Sequence, residues 1–193
     1  MKVTIDGRRY HAENGQTILD VARANRIYIP TLCYHEKTGA CARCRACVVE
    51  VKGTPSLVTA CSTPVAEGME IVTDSPRVFE AQRFVIKLAL ASGNHECIIC
   101  EKSGSCELQD AAYHLKIEDE DIRKKAWSPC FDDSSAFIRV DHTRCILCGR
   151  CVEACNHIAV NRVIKIMQRG YEAHIGFDAD VPMGESSCVQ CGE

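Results

Sequence analysis

Thirteen of the fifteen cysteines in this 193-residue chain fall into three spaced groups. The groups are Cys33, Cys44, Cys47 and Cys61, then Cys97, Cys100 and Cys106, then Cys145, Cys148, Cys151, Cys155, Cys188 and Cys191. Thiolates are soft ligands, and groups of them hold iron–sulfur clusters. A cluster passes single electrons but breaks few bonds by itself, so the spacing predicts electron transfer.

The first group has the spacing Cys33-x10-Cys44-x2-Cys47-x13-Cys61. A long loop of this kind can wrap a two-iron cluster and point its backbone N–H groups at the sulfurs. Zinc is the alternative, because a C-x2-C pair is also typical of zinc sites. Cys41 is in regular spacing with Cys44 and Cys47, and we interpret it as a spare thiol.

The residues around this group resemble a known family. The matching segments are Leu32-Cys33-Tyr34-His35, Cys44-Arg45-Ala46-Cys47-Val48-Val49-Glu50 and Ala60-Cys61. They are similar to the N-terminal ferredoxin domain of the large iron–sulfur subunit of respiratory complex I. The same domain occurs in iron-only hydrogenases, some formate dehydrogenases and the small diaphorase subunit of NAD-linked nickel–iron hydrogenases. The resemblance implies a 2Fe-2S cluster held by Cys33, Cys44, Cys47 and Cys61.

The second group, His95-x-Cys97-x2-Cys100-x5-Cys106, leaves one position of a four-iron cluster open for a neutral imidazole. The family commonly places this histidine four residues before the first cysteine, where this chain has Gly93. The form Gly93-Asn94-His95-x-Cys97 is similar to the shorter version in hydrogenase diaphorase subunits. The resemblance implies His95 as the ligand, ahead of solvent or His114.

The third group, Cys145-x2-Cys148-x2-Cys151-x3-Cys155, reproduces the bacterial ferredoxin run with Asn156 in place of proline. In that pattern the fourth cysteine ligates the other cluster, so Cys155 joins Cys188 and Cys191. Each four-iron cluster then lacks one ligand within the chain. We expect a longer protein of which this is the N-terminal part, a labile cluster, or a ligand from another chain. Cys130 fits no run and is interpreted as a structural or inert thiol.

Composition excludes several other functions. A net charge of -3 and an aromatic fraction of 6% give neither a basic field nor a base-stacking surface for nucleic acid. No apolar stretch is long enough to span a bilayer, and the polar N-terminus predicts no secretory signal. We therefore expect a cytoplasmic protein, in which disulfides are disfavoured and thiols bind metal. No nucleotide-binding glycine motif is present.

The elements that must position these cysteines indicate an α+β fold in three parts. Residues 1–75 form a plant-type (β-grasp) ferredoxin domain, with a hairpin at Asp6-Gly7 and a helix capped by Thr17. Residues 76–136 form a small helical domain for the His/Cys cluster. Residues 137–193 form a two-cluster ferredoxin-like domain, incomplete at its C-terminus, with an inserted hairpin around Gly170.

One long helix is predicted in the middle part. Ser75-Pro76 is a strong helix start, and Gly93 ends the helix after about Ser92. The side chains predicted to be buried are Phe79, Val85, Ile86, Leu88, Ala89 and Leu90.

The sequence thus predicts an electron-transfer subunit or domain of an NAD(P)-linked oxidoreductase of the hydrogenase or formate dehydrogenase type. It would hold one 2Fe-2S cluster and up to three 4Fe-4S clusters, between a flavin-binding partner and a catalytic centre elsewhere. We assign no catalytic acid, base or nucleophile. A complex I-type subunit is the alternative, and a zinc-stabilised, cysteine-rich assembly protein is the alternative from another class. A redox sensor would need an output domain, and none is visible.

Overall fold

The computed structural model describes residues 1–118, 122–123 and 131–193. Cys130 lies outside these described residues. The chain forms two compact units, of which the first comprises Met1–Leu32, Ala42–Lys87 and Gly104–Asp119. The second comprises Cys33–Cys41, Leu88–Ser103 and Glu120–Glu193. Small sheets and short helices make up both units, which confirms the predicted α+β class.

The first unit begins with the predicted hairpin of β1 (Lys2–Ile5) and β2 (Arg8–His11). Asp6 and Gly7 turn the chain with φ angles of 48° and 77°. A tight hairpin turn needs positive φ at both central residues, and an Asp-Gly pair supplies it at low steric cost. Val3 and Ile5 alternate with polar neighbours and are buried in the core.

A five-stranded sheet completes this unit. It adds β3 (Val48–Val51), β4 (Val58–Thr59) and β5 (Glu70–Val72) in the order β2-β1-β5-β3-β4. Strands β1 and β5 are parallel and the other pairs are antiparallel.

Helix α1 (Ile18–Ala24) packs its apolar face into the same core. It starts as predicted at Thr17, which forms a reciprocal capping box with Asp20. The four side chains that it buries are Ile18, Leu19, Val21 and Ala22.

Helix α2 (Pro76–Ala91) begins where Ser75 Oγ accepts a hydrogen bond from the Val78 amide at 3.2 Å. Four of its buried residues recur every four positions, at Val78, Gln82, Ile86 and Leu90, and Ala91 at its end is buried as well. Leu88 was predicted to be buried and is 45% exposed, because it lies two residues away from this stripe. The other predicted residues, Phe79, Val85 and Ala89, are half-buried.

Helix α3 (Glu107–His114) also belongs to the first unit. Near its C-terminus the ring of His114 meets Tyr28 edge to face, with 4.6 Å between centroids. No helix within the described residues is long and apolar enough to cross a bilayer.

The second unit is built from short elements. They are β6 (Phe131–Asp132) paired with β7 (Val140–Asp141), helix α4 (Arg150–His157), and β8 (Ile164–Met167) paired with β9 (His174–Phe177). The predicted inserted hairpin is thus present. A small core of Cys155, Val163, Phe177 and Met183 holds the unit together.

Candidate metal centres

In the first unit, two predicted ligands lie at one end of the β3–β4 ladder. Cys47 directly precedes β3, and Cys61 follows β4 with one residue, Ala60, between them. The Cys47 carbonyl accepts a hydrogen bond from the Ala60 amide at 2.9 Å, which extends the strand pairing to this point. Both thiols are buried, at 1% and 2% exposure. The sheet therefore fixes their backbone positions.

Cys44 lies on a loop that turns sharply beside this ladder. Ala42 and Arg45 have φ angles of 52° and 58°, in the left-handed region that non-glycine residues rarely occupy. The turn brings the Ala46 amide to 3.5 Å from Cys44 Sγ, to which it donates. A backbone N–H directed at a ligand sulfur stabilises negative charge there and tunes the bound metal group.

Cys33 and Cys41 belong to the second unit. Cys33 is buried, and its carbonyl accepts a hydrogen bond from Cys41 Sγ at 3.2 Å. That contact gives the Cys41 thiol a hydrogen-bond partner next to a predicted ligand, and its interpretation as a spare thiol stays a prediction.

His95 lies just after helix α2, in the second unit. One ring nitrogen, Nε2, is 3.2 Å from the carbonyl oxygen of Ala89 in the last turns of the helix. Metal-binding histidines commonly donate one ring N–H to a backbone carbonyl, which leaves the other nitrogen for the metal. The surroundings of His95 fit this arrangement.

The three cysteines of the second group lie at turns and helix ends. Cys97 begins a 3₁₀ turn, and the Cys100 amide donates to the Cys97 carbonyl at 3.4 Å. Cys106 is the N-cap of α3 and belongs to the first unit. His114 is the last residue of that helix, about 12 Å along its axis from Cys106 at 1.5 Å per residue. Its ring contact with Tyr28 also makes it a poorer ligand candidate than His95.

Cys145, Cys148 and Cys151 come together where a 3₁₀ turn leads into α4. Loss of hydration, together with negative charge on Cys148 and Cys145, raises the pKa of the Cys151 thiol to about 11. This repulsion requires the three thiols to be close neighbours. Residue Cys151 is nevertheless exposed to solvent on one side, while its sulfur lies close to the other two thiols.

The Cys145–Cys148 and Cys188–Cys191 segments share a backbone conformation. Leu147 has a φ of 53°, and its amide donates to Cys145 Sγ at 3.4 Å. Gln190 occupies the same position between Cys188 and Cys191 and has the same φ of 53°. The two C-x2-C pairs are therefore built alike.

Cys155 and Cys188 share the small core of the second unit. Two hydrogen bonds hold the backbone at Cys188, because its amide donates to Ser186 Oγ and the neighbouring Ser187 amide donates to Asp178. Cys191, three residues further, is exposed. The structure thus brings two of the three cysteines in this predicted set together in one core.

Across the described residues, no three His, Cys, Asp or Glu side chains are arranged to hold a single metal ion. Two arginines that the sequence did not identify as functional contact the cysteine segments. Arg144 donates to Cys100 Sγ, and Arg150 donates to the carbonyl of Tyr34, next to Cys33, at 2.6 Å. Their partners are 44 and 116 residues away, and no local pattern signals contacts over such separations.

Three family models match the chain in sequence order. They are a 2Fe-2S iron–sulfur cluster binding domain over residues 1–76, the iron–sulfur binding region of NADH-ubiquinone oxidoreductase G over 82–121, and the ferredoxin-like domain of NADH-quinone oxidoreductase subunit 3 over 135–187. Each contains one of the cysteine groups, although the third match ends before Cys188. Binding of 2Fe-2S and 4Fe-4S clusters is therefore supported by family as well as by ligand chemistry.

Curated relatives match nearly the whole chain. Subunit HndD of the NADP-reducing hydrogenase of Solidesulfovibrio fructosivorans is 36% identical over 198 residues, covering 100% of this chain and 34% of that protein. A Staphylococcus haemolyticus protein named as a formate dehydrogenase is 35% identical, covering 99% of this chain and 19% of that protein. The chain thus spans 34% of the first relative's length and 19% of the second's.

A third relative is the gamma subunit of the NAD-reducing hydrogenase HoxS of Cupriavidus necator. It is 35% identical over 182 residues, which cover 94% of this chain and 77% of that subunit. A crystal structure of an NAD⁺-reducing nickel–iron hydrogenase in its H₂-reduced state superposes with a TM-score of 0.87 at 32% identity. That match covers 97% of this chain and 79% of the hydrogenase chain.

Proposed function

The chain belongs to the family of iron–sulfur electron-transfer subunits and domains that includes the gamma subunit of HoxS, and we propose that it relays electrons within an NAD(P)-linked hydrogenase. The observation that carries the proposal is the order of the three family matches, which contain the first cysteine group, the second group, and Cys145 to Cys155 of the third. Bound clusters supply the capacity to accept and release one electron at a time.

We propose four ligand sets, each of which rests on the sequence pattern. The first holds a 2Fe-2S cluster and the second a 4Fe-4S cluster, and the last two sets each supply three ligands to a further 4Fe-4S cluster. The sets are Cys33, Cys44, Cys47 and Cys61; His95, Cys97, Cys100 and Cys106; Cys145, Cys148 and Cys151; and Cys155, Cys188 and Cys191.

Backbone groups of the protein contact several of the proposed cluster ligands. The amides of Ala46 and Leu147 donate to ligand sulfurs, and the Ala89 carbonyl orients the His95 ring. The sheet of the first unit excludes water from Cys47 and Cys61. Burial and N–H contacts of this kind are the means by which a protein adjusts a reduction potential.

In this proposal, a cytoplasmic partner subunit that binds flavin and NAD(P)H exchanges electrons with the chain. A second subunit or domain holds the catalytic centre, and the chain contributes no catalytic acid, base or nucleophile. We favour the hydrogenase type because a solved NAD⁺-reducing hydrogenase chain matches 97% of this chain with a TM-score of 0.87, and because HndD and the HoxS gamma subunit are both hydrogenase subunits.

The first test is metal and sulfide analysis of anaerobically purified protein, with electron paramagnetic resonance (EPR) spectra after dithionite reduction. We expect iron, acid-labile sulfide, and both two-iron and four-iron signals. Colourless protein containing zinc without sulfide would instead identify a zinc-stabilised assembly protein.

The second test identifies the reaction. The complex is purified from its native source through a tag on this chain, and NAD(P)⁺ reduction is followed with hydrogen or with formate. Reduction by hydrogen supports the proposal. Reduction by formate alone would assign the chain to the formate dehydrogenase type, and NADH-driven quinone reduction would assign it to the complex I type.

A further inference from the structure

A guanidinium group lies against one of the proposed cluster ligands. Arg144 Nη1 donates to Cys100 Sγ at 3.7 Å, and both residues belong to the second unit. Arg144 directly precedes Cys145, so it lies between two cysteine groups along the chain. Arginine keeps its charge at any pH that a protein meets, so a permanent positive charge stands at the Cys100 sulfur.

Asp141 holds this arginine in place. Asp141 Oδ2 lies 3.2 Å from Arg144 Nε, while Oδ1 accepts from the amide and the hydroxyl of Thr143 at 2.9 and 2.6 Å. One edge of the guanidinium is therefore tied to Asp141, and the terminal Nη1 is directed at Cys100. A rigid planar fork can make both contacts at once, which a lysine ammonium on a flexible stem cannot do in the same geometry.

The turn that carries Arg144 is also locked to the loop that carries His95. The Thr143 carbonyl accepts a hydrogen bond from the Asn94 amide at 2.7 Å. A Cβ on Gly93 would lie 2.7 Å from that carbonyl oxygen and 2.9 Å from His95 Nε2, so only glycine allows this approach. Arg144 thus has a fixed position relative to the loop before Cys97 and Cys100.

We propose that Arg144 raises the reduction potential of the cluster bound by Cys100, and that Asp141 is its positioning residue. The inference rests on the proposed function, because it needs the cluster to be present. Reduction adds one electron and breaks no bond, and it makes the cluster and its thiolates more negative by one charge. A guanidinium that donates to a ligand sulfur stabilises this added charge.

The alternative is that Arg144 only stabilises the fold through its ion pair with Asp141. The two side chains are 43% and 24% exposed, and an ion pair so open to water contributes little to stability. A purely structural role would leave the midpoint potential of an intact cluster unchanged. The potential therefore separates the two roles.

The experiment is an anaerobic redox titration of the full protein and of Arg144→Gln, followed by EPR at each potential. At the wild-type midpoint, we expect the ratio of reduced to oxidised cluster to fall about tenfold in the variant, which is ~59 mV for a one-electron couple. The 2Fe-2S midpoint should not move, since Arg144 contacts none of its proposed ligands. Arg144→Lys keeps the charge without the fork and should give a smaller fall.

Arg139→Gln is the matched control. It removes the same charge from the same unit, but the Arg139 guanidinium lies over the ring of Phe131 at 4.4 Å. An Arg144→Gln midpoint equal to that of the wild type, or shifted no more than in Arg139→Gln, overturns the proposal. If the Arg144→Gln protein loses the four-iron EPR signal, the midpoint potential of Arg144→Lys is measured instead. A midpoint in Arg144→Lys equal to that of the wild type overturns the proposal. Protein without iron and sulfide would instead contradict the proposed function itself.

Discussion

Cys47 and Cys61 of the first unit stand at the ends of sheet strands, whereas Cys145, Cys148 and Cys151 of the second unit stand on turns and at the start of a short helix. Cys47 and Cys61 flank the β3–β4 ladder and are almost fully buried. Cys151 and Cys191, in contrast, are exposed. The same ligand chemistry is therefore presented by two different kinds of support.

The difference is one of independent stability. The first unit has a five-stranded sheet whose central side chains, such as Ile5, Val49 and Ile71, are at most 1% exposed. The second unit has two-stranded ladders and a core in which Cys155, itself a proposed ligand, is one of four buried residues. Isolated two-stranded ladders are marginally stable in water. We infer that bound metal contributes more to the folding of the second unit.

The largest effect should follow removal of the clusters with an iron chelator and a reductant. Metal binding to a thiolate site that is not formed in the unfolded chain acts as folding free energy, on the order of 10 kcal/mol. We expect amide protection in residues 145–157 to fall by at least ~100-fold, measured by hydrogen exchange and mass spectrometry. Protection of the sheet around Val49 and Ile71 should fall much less.

The control for this experiment is the same protein reconstituted with iron and sulfide, in which protection of 145–157 should return. Equal loss of protection in both units would contradict the comparison, because the sheet would then depend on metal as much as the turns do.

Single-ligand variants sharpen the comparison. Cys47→Ala should abolish the two-iron EPR signal while the sheet remains, because Val48 to Val51 pair through their backbones. Cys100→Ala should remove one four-iron signal and leave the two-iron signal intact. His95→Ala should shift or abolish that same four-iron signal.

Loss of both kinds of signal from a folded Cys100→Ala protein would contradict the division into separate sites. An unchanged spectrum of His95→Ala would remove His95 from the proposed ligands. Cys41→Ala is the control and should keep both kinds of signal, since this thiol donates a hydrogen bond to the Cys33 carbonyl and is proposed to hold no iron.

The first unit was predicted from sequence more fully than the second, for physical reasons. Its hairpin and α1 depend on local signals, namely the Asp6-Gly7 turn and the Thr17 cap, and each of these acts on residues close to it in sequence. The contacts of Arg144 and Arg150 join residues far apart in the chain and depend on tertiary packing. Asp141 before Thr143 has the local form of a capping residue, but nothing local connects Arg144 with Cys100.

Helix α2 shows how a periodic pattern can mislead. The predicted face included Leu88 because the segment Val85 to Leu90 is almost uniformly apolar, so hydrophobicity alone does not select one stripe. The buried stripe includes a polar residue, Gln82, whose side chain donates to the Val48 carbonyl at 3.0 Å. A hydrogen bond to a strand 34 residues away fixed the orientation of the helix.

The effect of single core substitutions on stability should therefore differ along this helix. Ile86→Ala removes a fully buried side chain and should lower the free energy of unfolding by about 2–5 kcal/mol. Leu88→Ala is the matched control on an exposed position and should change it by less than ~0.5 kcal/mol. Denaturant unfolding followed by circular dichroism measures both, and similar losses would contradict the assigned stripe.

The smallest effect concerns Tyr28, which anchors α3 and hence the backbone of Cys106 to the first unit. Burial raises the pKa of the Tyr28 hydroxyl above its ordinary value of 10.0, and the negative charges of Asp110 and Glu107 raise it further. Because the folded state holds this proton more tightly than the unfolded chain, its contribution to stability is complete below pH 10 and is lost as the pH rises through the folded pKa. The difference in tyrosinate absorbance between wild type and Tyr28→Phe should therefore develop only above pH 10. Asp110→Asn removes one of the negative charges and should shift the ionisation of Tyr28 to lower pH. Ionisation of Tyr28 at or below pH 10 would mean that α3 is not packed against it in solution.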